Sequence, residues 1–291
     1  MQSRVLAALS LSLLLLVSSF LVIVYGNTTN KGVPHSKENR VFTFAVYYGS
    51  EVNPEVIDYL NSFNMVILEP WAFNSSELAQ IRAIKIAYID LGEFDNGSSC
   101  CQVNVSAVKI GYDSMWGQPI VNASSPVWQQ YILCEVNSVM KNGFQGVLFD
   151  DLDVAEQYHS VIHGMITIIK DVRLLYPAAV IGVNRGFVIF QNISPYINFV
   201  LFEDYGTQVA GPGRVTFVQN ISSVYAFTAM IKRYNLTILA LAYAQNPGDV
   251  YSYAYSLARS EGVPLYVTNR DVSALWPKEE IYVNSSSASG F

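Results

Sequence analysis

Acidic side chains recur where short apolar runs of the chain end. Asp150, Asp151 and Asp153 follow one such run, and Glu203 and Asp204 follow another. Because acidic side chains are normally solvated or paired, their repetition after buried segments indicates a shared polar surface. Two carboxyl groups that face each other can cleave a glycosidic bond, since one protonates the leaving oxygen while the other attacks the sugar or activates water.

The ends of the other runs also carry side chains suited to sugars. Tyrosine and tryptophan offer flat apolar faces to sugar rings, and acidic, amide and guanidinium groups can bind hydroxyl or amino groups. Crowded carboxylates push one another's pKa values apart, so that one can stay protonated near neutral pH. We predict a substrate-binding role for Tyr48, Glu69, Trp71, Asp90, Glu93, Asp153, Asn184, Arg185, Tyr243 and Arg270.

Eight apolar runs, rich in β-branched and aromatic residues, could position these side chains. They span residues 41–49, 65–70, 85–93, 146–153, 179–186, 198–205, 238–244 and 264–270. Such near-continuous apolar character is typical of parallel strands buried on both faces. Helical stretches separate the runs: Asn53 and Ser125 each precede a proline at a helix start, and Gly143 and Gly262 stand where helices would end. The longest helix is predicted over residues 155–176.

The alternation predicts a (β/α)8 TIM barrel that forms a single domain over residues 41–276. The connection over residues 94–125 is too long for a simple loop, so we predict an insertion on the barrel rim. A doubly wound dinucleotide fold is disfavoured, since no G-x-G-x-x-G turn follows the first strand. Barrel chemistry lies at the carboxyl ends of the strands, where the polar residues fall. Strand alternation places Asp150 and Asp151 on opposite sides, so only one should face the site.

The composition excludes other classes of protein. The chain has 291 residues, of which 51% are hydrophobic and 14% charged, with a net charge of −6. It is therefore not a disordered chain, and its acidic balance argues against nucleic-acid binding. Residues 1–26 are predicted to be a signal peptide or a membrane anchor, because Arg4 precedes a long apolar run. Residues 27–40 are predicted as a polar linker and residues 277–291 as a Ser-rich tail.

Nine Asn-x-Ser/Thr sequons support export. They begin at Asn27, Asn74, Asn96, Asn104, Asn122, Asn192, Asn220, Asn235 and Asn284. Such sites are acceptors of N-linked sugars at the surface of exported proteins, so we predict an extracellular or cell-surface glycoprotein. Any membrane association would run through residues 1–26. Cys134 could form a disulfide with Cys100 or with Cys101, and the sequence does not decide between them.

Several stretches resemble the endo-α-1,4-polygalactosaminidases, glycoside hydrolase family 114. The more specific ones are GFQGVLFDDLD over residues 143–153 and VIGVNRGF over residues 180–187. Weaker matches are YYG at 47–49, MVILEP at 65–70, KIAYIDLGE at 85–93, FVLFEDY at 199–205 and LYVTNRD at 265–271. The similarity covers about residues 42–275. Gln145 stands where the family has Asp, but it precedes the strand, so we expect little catalytic consequence.

The resemblance implies a (β/α)8 barrel with two catalytic carboxylates, Asp150 from the fourth-strand block and Glu203 from the sixth strand. Asp150 is assigned as nucleophile and Glu203 as acid/base, with the exchanged roles left open. Asp153 matches the second acid of the block and is expected to orient a sugar hydroxyl. The implied substrate is an α-1,4-linked galactosamine-type polysaccharide, and no cofactor is expected.

Other interpretations of the same residues remain open at this point. The Asp150, Asp151 and Asp153 run could bind a hard cation. His159 and His163, four residues apart on a helix, could ligate zinc, although the glutamate of an H-E-x-x-H motif is missing. Arg185 could bind a substrate hydroxyl or pair with Glu203 or Glu93. The alternative function is a non-catalytic carbohydrate-binding or cell-surface glycoprotein on the same barrel.

Overall fold

The computed structural model describes residues 42–95, 101–209, 214–218, 220–248 and 251–277. The predicted signal peptide or anchor and the polar linker lie outside these residues, as does the Ser-rich tail beyond residue 277. No helix within the described ranges is long and apolar enough to cross a membrane. Of the six sequon asparagines in these ranges, Asn122 is half-buried and the others are exposed.

Twelve strands and nine α-helices make up the described chain. In chain order the strands are β1 (Phe44–Tyr47), β2 (Met65–Leu68), β3 (Ile84–Asp90), β4 (Lys109–Asp113), β5 (Gln118–Val121), β6 (Gly146–Asp150), β7 (Val180–Asn184), β8 (Phe199–Phe202), β9 (Thr207–Val209), β10 (Val215–Phe217), β11 (Thr237–Tyr243) and β12 (Leu265–Thr268). The helices are α1 (Pro54–Leu60), α2 (Ser75–Gln80), α3 (Val105–Val108), α4 (Pro126–Asn142), α5 (Val154–Gln157), α6 (Ile162–Leu175), α7 (Phe190–Ile193), α8 (Ile221–Arg233) and α9 (Tyr251–Glu261).

Eight parallel strands form a nearly closed barrel in the order β1-β2-β3-β6-β7-β8-β11-β12. They coincide with the eight predicted runs, and the (β/α)8 prediction is confirmed. At the seam, the Tyr48 N–H donates to the carbonyl oxygen of Val272 at 2.8 Å. The rings of Phe44 on β1 and Tyr266 on β12 lie 6.0 Å apart between centroids. Inside the barrel, a Cβ at Gly182 would meet the Phe199 ring at 2.1 Å, so glycine makes room for that ring.

Local signals explain several helix boundaries. The Asn53 side chain accepts from the Val56 N–H at 3.0 Å and caps α1, and Gly143 ends α4 with φ 112°. The helix predicted over residues 155–176 is wrong in one respect, because Tyr158, with φ −115° and ψ 77°, and a short 3-10 helix over His159–Val161 separate α5 from α6. The Tyr158 hydroxyl packs against Gly111 of β4, where a Cβ would stand 2.4 Å away. Tertiary packing therefore interrupts the helix, and the 17-residue α4 is the longest.

The connection between β3 and α4 carries α3 and an antiparallel hairpin of β4 and β5. A disulfide joins Cys101 in this connection to Cys134 in α4, which resolves the pairing that the sequence leaves open. Glu93, just after β3, forms an isolated β-bridge with Ile120 of the hairpin. The Trp128 indole N–H donates to the Leu91 carbonyl at 2.9 Å. The bridge attaches the hairpin, and the indole bond attaches α4, to the carboxyl end of β3.

Candidate active site

A cavity of about 480 Å³ opens at the carboxyl ends of the barrel strands. This volume is within the range of small-molecule binding sites. Eight of the twelve predicted catalytic and substrate-binding residues line it: Tyr48, Asp150, Asp153, Asn184, Arg185, Glu203, Tyr243 and Arg270. The cavity therefore collects side chains from strands on both sides of the barrel seam.

Asp150 and Glu203 face each other across the side chain of Asn184. Asp150 ends β6, Asn184 ends β7, and Glu203 follows β8, so three neighbouring strands supply the group. Asn184 Nδ2 donates to Asp150 Oδ1 at 2.8 Å and also to Glu203 Oε2. Because one nitrogen contacts both oxygens, these oxygens lie no more than two hydrogen-bond lengths apart, roughly 6 Å.

Each carboxylate has a second hydrogen-bond partner. The backbone N–H of Asp151 donates to Asp150 Oδ1 at 2.7 Å. The Tyr243 hydroxyl donates to Glu203 Oε1. Both side chains are thus fixed in the cavity by donors that belong to the barrel, and neither depends on a mobile surface group for its orientation.

Residues with a left-handed backbone conformation, that is, with positive φ, follow three successive barrel strands. Asp151, Arg185 and Asp204 have φ values of 57°, 54° and 59°, and all three side chains line the cavity. Non-glycine residues seldom adopt this conformation, and it concentrates at functional sites. The prediction that only one of Asp150 and Asp151 faces the site is wrong, because the strand ends at Asp150 and its alternation does not extend to Asp151.

Burial and crowding raise the pKa values of several cavity carboxyls. Burial first, then the charges of Glu203 and Asp90, raise the pKa of Asp150 well above its ordinary value. Burial and the neighbouring Asp150 do the same to the pKa of Asp151. Burial and Glu203 raise the pKa of Asp204 to about 7, although Arg185 opposes that shift. Some of these groups therefore keep a proton near neutral pH.

Arg185 forms ion pairs with two of these acids. Its guanidinium lies 3.4 Å from an Asp204 oxygen and 3.9 Å from an Asp153 oxygen. The interpretation that pairs Arg185 with Glu203 or Glu93 is therefore wrong. Arg185 instead bridges the loops that follow β6 and β8, and it partly neutralises this side of the cavity.

The hairpin of β4 and β5 supplies a wall that sequence reasoning missed. Asp113, Met115, Trp116 and Gln118 line the cavity from this hairpin. Trp116 is 46% exposed, as an aromatic residue at a binding surface would be. The remaining lining residues that were not predicted are Tyr88, Asp151, Asp204, Gln208, Val209, Asp271 and Val272. A tryptophan in a long insertion is the sequence signal that could have suggested this wall.

The other four predicted residues, Glu69, Trp71, Asp90 and Glu93, line a separate pocket at the ends of β2 and β3. It has a volume of about 30 Å³, and Tyr88 lines both it and the larger cavity. Burial is the main cause that raises the pKa values of Glu69 and Glu93 to about 7 and that of Asp90 to about 6. The predicted site residues thus form two adjacent groups.

The described residues contain no set of side chains that supports either metal-binding interpretation. Within its ranges, no group of three or more His, Cys, Asp or Glu side chains is arranged to hold a metal ion. His159 and His163 are both exposed at the helical surface that follows α5. Asp150, at the end of β6, instead accepts from the Asp151 N–H, and Asp153 pairs with Arg185.

Comparison with known proteins identifies the family. The sequence profile of glycoside-hydrolase family GH114 matches residues 41–285. None of the curated proteins matches the chain. Among solved structures, the glycoside hydrolase domain of PelA from Pseudomonas aeruginosa has 20% identity and a TM-score of 0.69, with 80% of this chain and 96% of that chain covered.

A second solved structure has a similar fold. Ega3 from Aspergillus fumigatus, in complex with galactosamine, has 15% identity and a TM-score of 0.63, with 85% of this chain and 97% of that chain covered. At these identities the two structures show a shared fold. The family match, which spans most of the chain, shows more: this protein is a glycoside hydrolase and belongs to family GH114.

Proposed function

We propose that this enzyme cleaves internal linkages of α-1,4-linked galactosamine polymers, with Asp150 and Glu203 as its two catalytic carboxyl groups. The observation that carries the proposal is the Asn184 amide, which donates to both carboxylates in one open cavity. A donor shared by two acids keeps one oxygen of each within roughly 6 Å, which is compatible with glycosidic cleavage by two carboxyl groups. The galactosamine bound to Ega3, a structure with the same fold, supports the choice of sugar.

The close approach of the two acids favours a mechanism that retains anomeric configuration. Retaining enzymes keep the carboxyl groups about 5–5.5 Å apart, whereas inverting enzymes need about 6.5–9.5 Å to admit a water molecule. An upper limit of roughly 6 Å between Asp150 Oδ1 and Glu203 Oε2 favours the first class. One carboxylate therefore attacks the sugar directly.

The reaction then has two steps, formation of a glycosyl ester and its hydrolysis. Glu203 gives its proton to the glycosidic oxygen as Asp150 attacks the anomeric carbon, so the carbon–oxygen bond breaks and a glycosyl ester forms on Asp150. A water molecule next attacks the same carbon, Glu203 takes one of the water protons, and the ester bond to Asp150 breaks. The enzyme returns to its starting protonation state.

The hydrogen-bond partners support this division of roles. The Asp151 N–H can only donate to Asp150, so it favours the carboxylate form of Asp150 against the burial and the Glu203 charge that raise the pKa of this group. The Tyr243 hydroxyl beside Glu203 can donate to a carboxylate or accept from a carboxyl group, which suits a residue that loses and regains a proton. Burial and the charge of Glu203 raise the pKa of Asp150, so a proton can be held between the two acids.

The charge of the cavity supports a cationic substrate. Seven carboxyl groups and two arginines line the cavity. The acids are Asp113, Asp150, Asp151, Asp153, Glu203, Asp204 and Asp271, and the arginines are Arg185 and Arg270. An acidic cleft attracts cations and raises their local concentration. A polymer whose amino groups are not acetylated carries ammonium groups and meets this condition. The sequons and the apolar residues 1–26 further support an exported, N-glycosylated enzyme.

The test is hydrolysis of de-N-acetylated galactosamine polymer, with the released oligomers identified by mass spectrometry. We expect Asp150→Asn and Glu203→Gln each to abolish release while the thermal unfolding curve stays close to that of the wild type. Glu55→Gln, an exposed glutamate on α1, is the matched control and should retain full activity. If either variant keeps wild-type turnover, the substituted residue is not catalytic.

Activated aryl glycosides of galactosamine separate the two roles. Their leaving group needs no proton, so Glu203→Gln should still form the glycosyl ester, and added azide should restore turnover by replacing the activated water. Asp150→Asn should stay inactive on the same substrate because it lacks the nucleophile. The opposite pattern would exchange the roles of the two residues.

A further inference from the structure

We propose that the small pocket at the ends of β2 and β3 binds a primary ammonium group, and that in the enzyme's substrate this is the amino group of a sugar unit next to the cleavage site. The identity of the sugar rests on the function proposed above. The ammonium site itself rests on the chemistry, the size and the unmet hydrogen-bonding capacity of the pocket.

The pocket combines acidic and aromatic side chains. Its carboxyl groups are Glu69, Asp90, Glu93, Asp95 and Glu135, and its aromatic rings are Trp71, Tyr88, Trp128 and Tyr131. Its described lining includes no lysine, arginine or histidine. Carboxylates accept hydrogen bonds from an ammonium group, and aromatic faces attract its charge. This lining therefore selects a cation that also donates hydrogen bonds.

Glu93 supplies the observation that points to a ligand. Its side chain is only 4% exposed, and its Oε2 atom has no hydrogen-bond partner among the described residues. A buried acceptor without a donor is costly, and such groups are rare in folded proteins. An ammonium group seated in the pocket would supply the missing donor to Glu93.

The size of the pocket limits what can enter. A volume of about 30 Å³ accommodates one or two groups of the size of a water molecule. An ammonium group fits this space, but a sugar ring or a quaternary ammonium ion does not. No described set of carboxylates is arranged to hold a metal ion, so an organic ammonium fits better than a metal cation.

The pocket lies beside the catalytic cavity and shares one lining residue with it. Tyr88 lines both spaces, and its hydroxyl donates to Asp90 Oδ1 at 2.6 Å. Asp90 in turn shares a side-chain hydrogen bond with Asp151, which lines the cavity. Trp71, 37% exposed, lines the pocket from the residues after β2. A polymer that crosses the cavity can therefore extend past Tyr88 and insert an amino group of a neighbouring unit into the pocket.

Methylammonium chloride is the probe, and carboxyl carbon-13 NMR of the full chain labelled at glutamate is the readout. We expect saturable shifts of the Glu93 and Glu69 carboxyl signals with methylammonium and none with tetramethylammonium, which is too large. Glu93→Gln should weaken methylammonium binding at least about tenfold, as the loss of a charge-assisted hydrogen bond predicts. Glu55→Gln should leave binding unchanged.

A second variant guards against a folding defect in Glu93→Gln. Trp71→Ala removes an aromatic face of the pocket at a partly exposed site, and it should also weaken methylammonium binding. Glutamate signals that do not respond to methylammonium in the folded wild type would overturn the proposal, even if the enzyme degrades galactosamine polymer. Binding that depends on Glu93, without hydrolysis of that polymer, would support the pocket and reject the proposed substrate.

Steady-state kinetics connects the pocket to catalysis. On galactosamine oligomers, Glu93→Gln should raise KM about tenfold with little change in kcat, because the pocket contacts a sugar unit away from the broken bond. On fully N-acetylated oligomers, which carry no ammonium group, the same substitution should leave KM unchanged. An equal rise in KM on both substrates would contradict an ammonium site.

Discussion

The guanidinium group of Arg270 lies over the indole ring of Trp116, with Cζ 4.7 Å from the ring centroid. Arg270 follows β12, and Trp116 lies between β4 and β5, so the contact joins the last barrel strand to the hairpin after β3. Such a contact stabilises by about 1 kcal/mol. It holds an exposed aromatic face at the cavity wall, where a sugar ring could stack.

We expect Trp116→Ala to lower kcat/KM on galactosamine polymer about tenfold, mostly through a higher KM, because a stacking face contributes about 1 kcal/mol or more to binding. Trp116→Phe should retain much of the activity. Tyr112→Ala is the matched control, since Tyr112 lies on the same hairpin outside the cavity lining. If the two alanine variants lose activity equally, the effect comes from the hairpin rather than from stacking.

Asn184→Leu should lower kcat by about 100-fold with little effect on KM. The substitution keeps the approximate size of the side chain but removes the donor that both catalytic carboxylates share. Steady-state kinetics on a soluble galactosamine oligomer measures this, and thermal unfolding checks the fold. A change confined to KM would mean that Asn184 binds substrate without positioning the two acids.

The first product should have the same anomeric configuration as the bond that was cleaved. This follows from the shared Asn184 donor, which keeps one oxygen of Asp150 and one of Glu203 within roughly 6 Å, closer than inverting enzymes keep their carboxyl groups. Proton NMR of the reducing-end signal within the first turnovers reads the configuration before mutarotation. Initial release of the opposite anomer would require the two groups to separate in the substrate complex.

The stability of the protein should fall as pH rises from about 5 to about 8. The pKa of Glu93 is about 7 in the folded protein and 4.5 in its ordinary state, so the folded protein binds the extra proton. A raised carboxyl pKa gives stability that is fully present below the unfolded pKa and is lost as pH rises through the folded one. For Glu93 the loss is at most about 3 kcal/mol.

Glu93→Gln isolates that contribution. Its free energy of unfolding, measured with urea across this pH range, should fall less steeply than that of the wild type. Glu69, with a pKa of about 7, acts in the same direction and keeps part of the slope. Glu55→Gln should reproduce the wild-type slope. An unchanged slope in Glu93→Gln would show that Glu93 is not the group responsible.

The sequence predicts the barrel because each strand is a nearly uninterrupted apolar run that ends in polar residues. Val66, Val147 and Leu201 illustrate this, since each is at most 1% exposed within a strand that is buried along its length. Once eight such strands close into a barrel, their carboxyl ends must meet. The convergence of Asp150, Asn184 and Glu203 therefore follows from the fold that the pattern predicts.

Other features depend on contacts between distant segments, which local patterns do not encode. Tyr158 interrupts a helix whose periodicity continues, because it packs against Gly111 in the hairpin. Trp116 reaches the cavity only because the connection after β3 folds back over the barrel. The division of the predicted residues between two pockets depends on the Tyr88 side chain, which lines both.

The left-handed residues after β6, β7 and β8 have a consequence for engineering this barrel. Asp151, Arg185 and Asp204 each lie at a strand exit in a conformation that costs a non-glycine residue about 1–2 kcal/mol. Loops transplanted from a related barrel should therefore begin after these positions. A graft that substitutes a β-branched residue at any of them would redirect the segment beyond it, even if every catalytic side chain were retained.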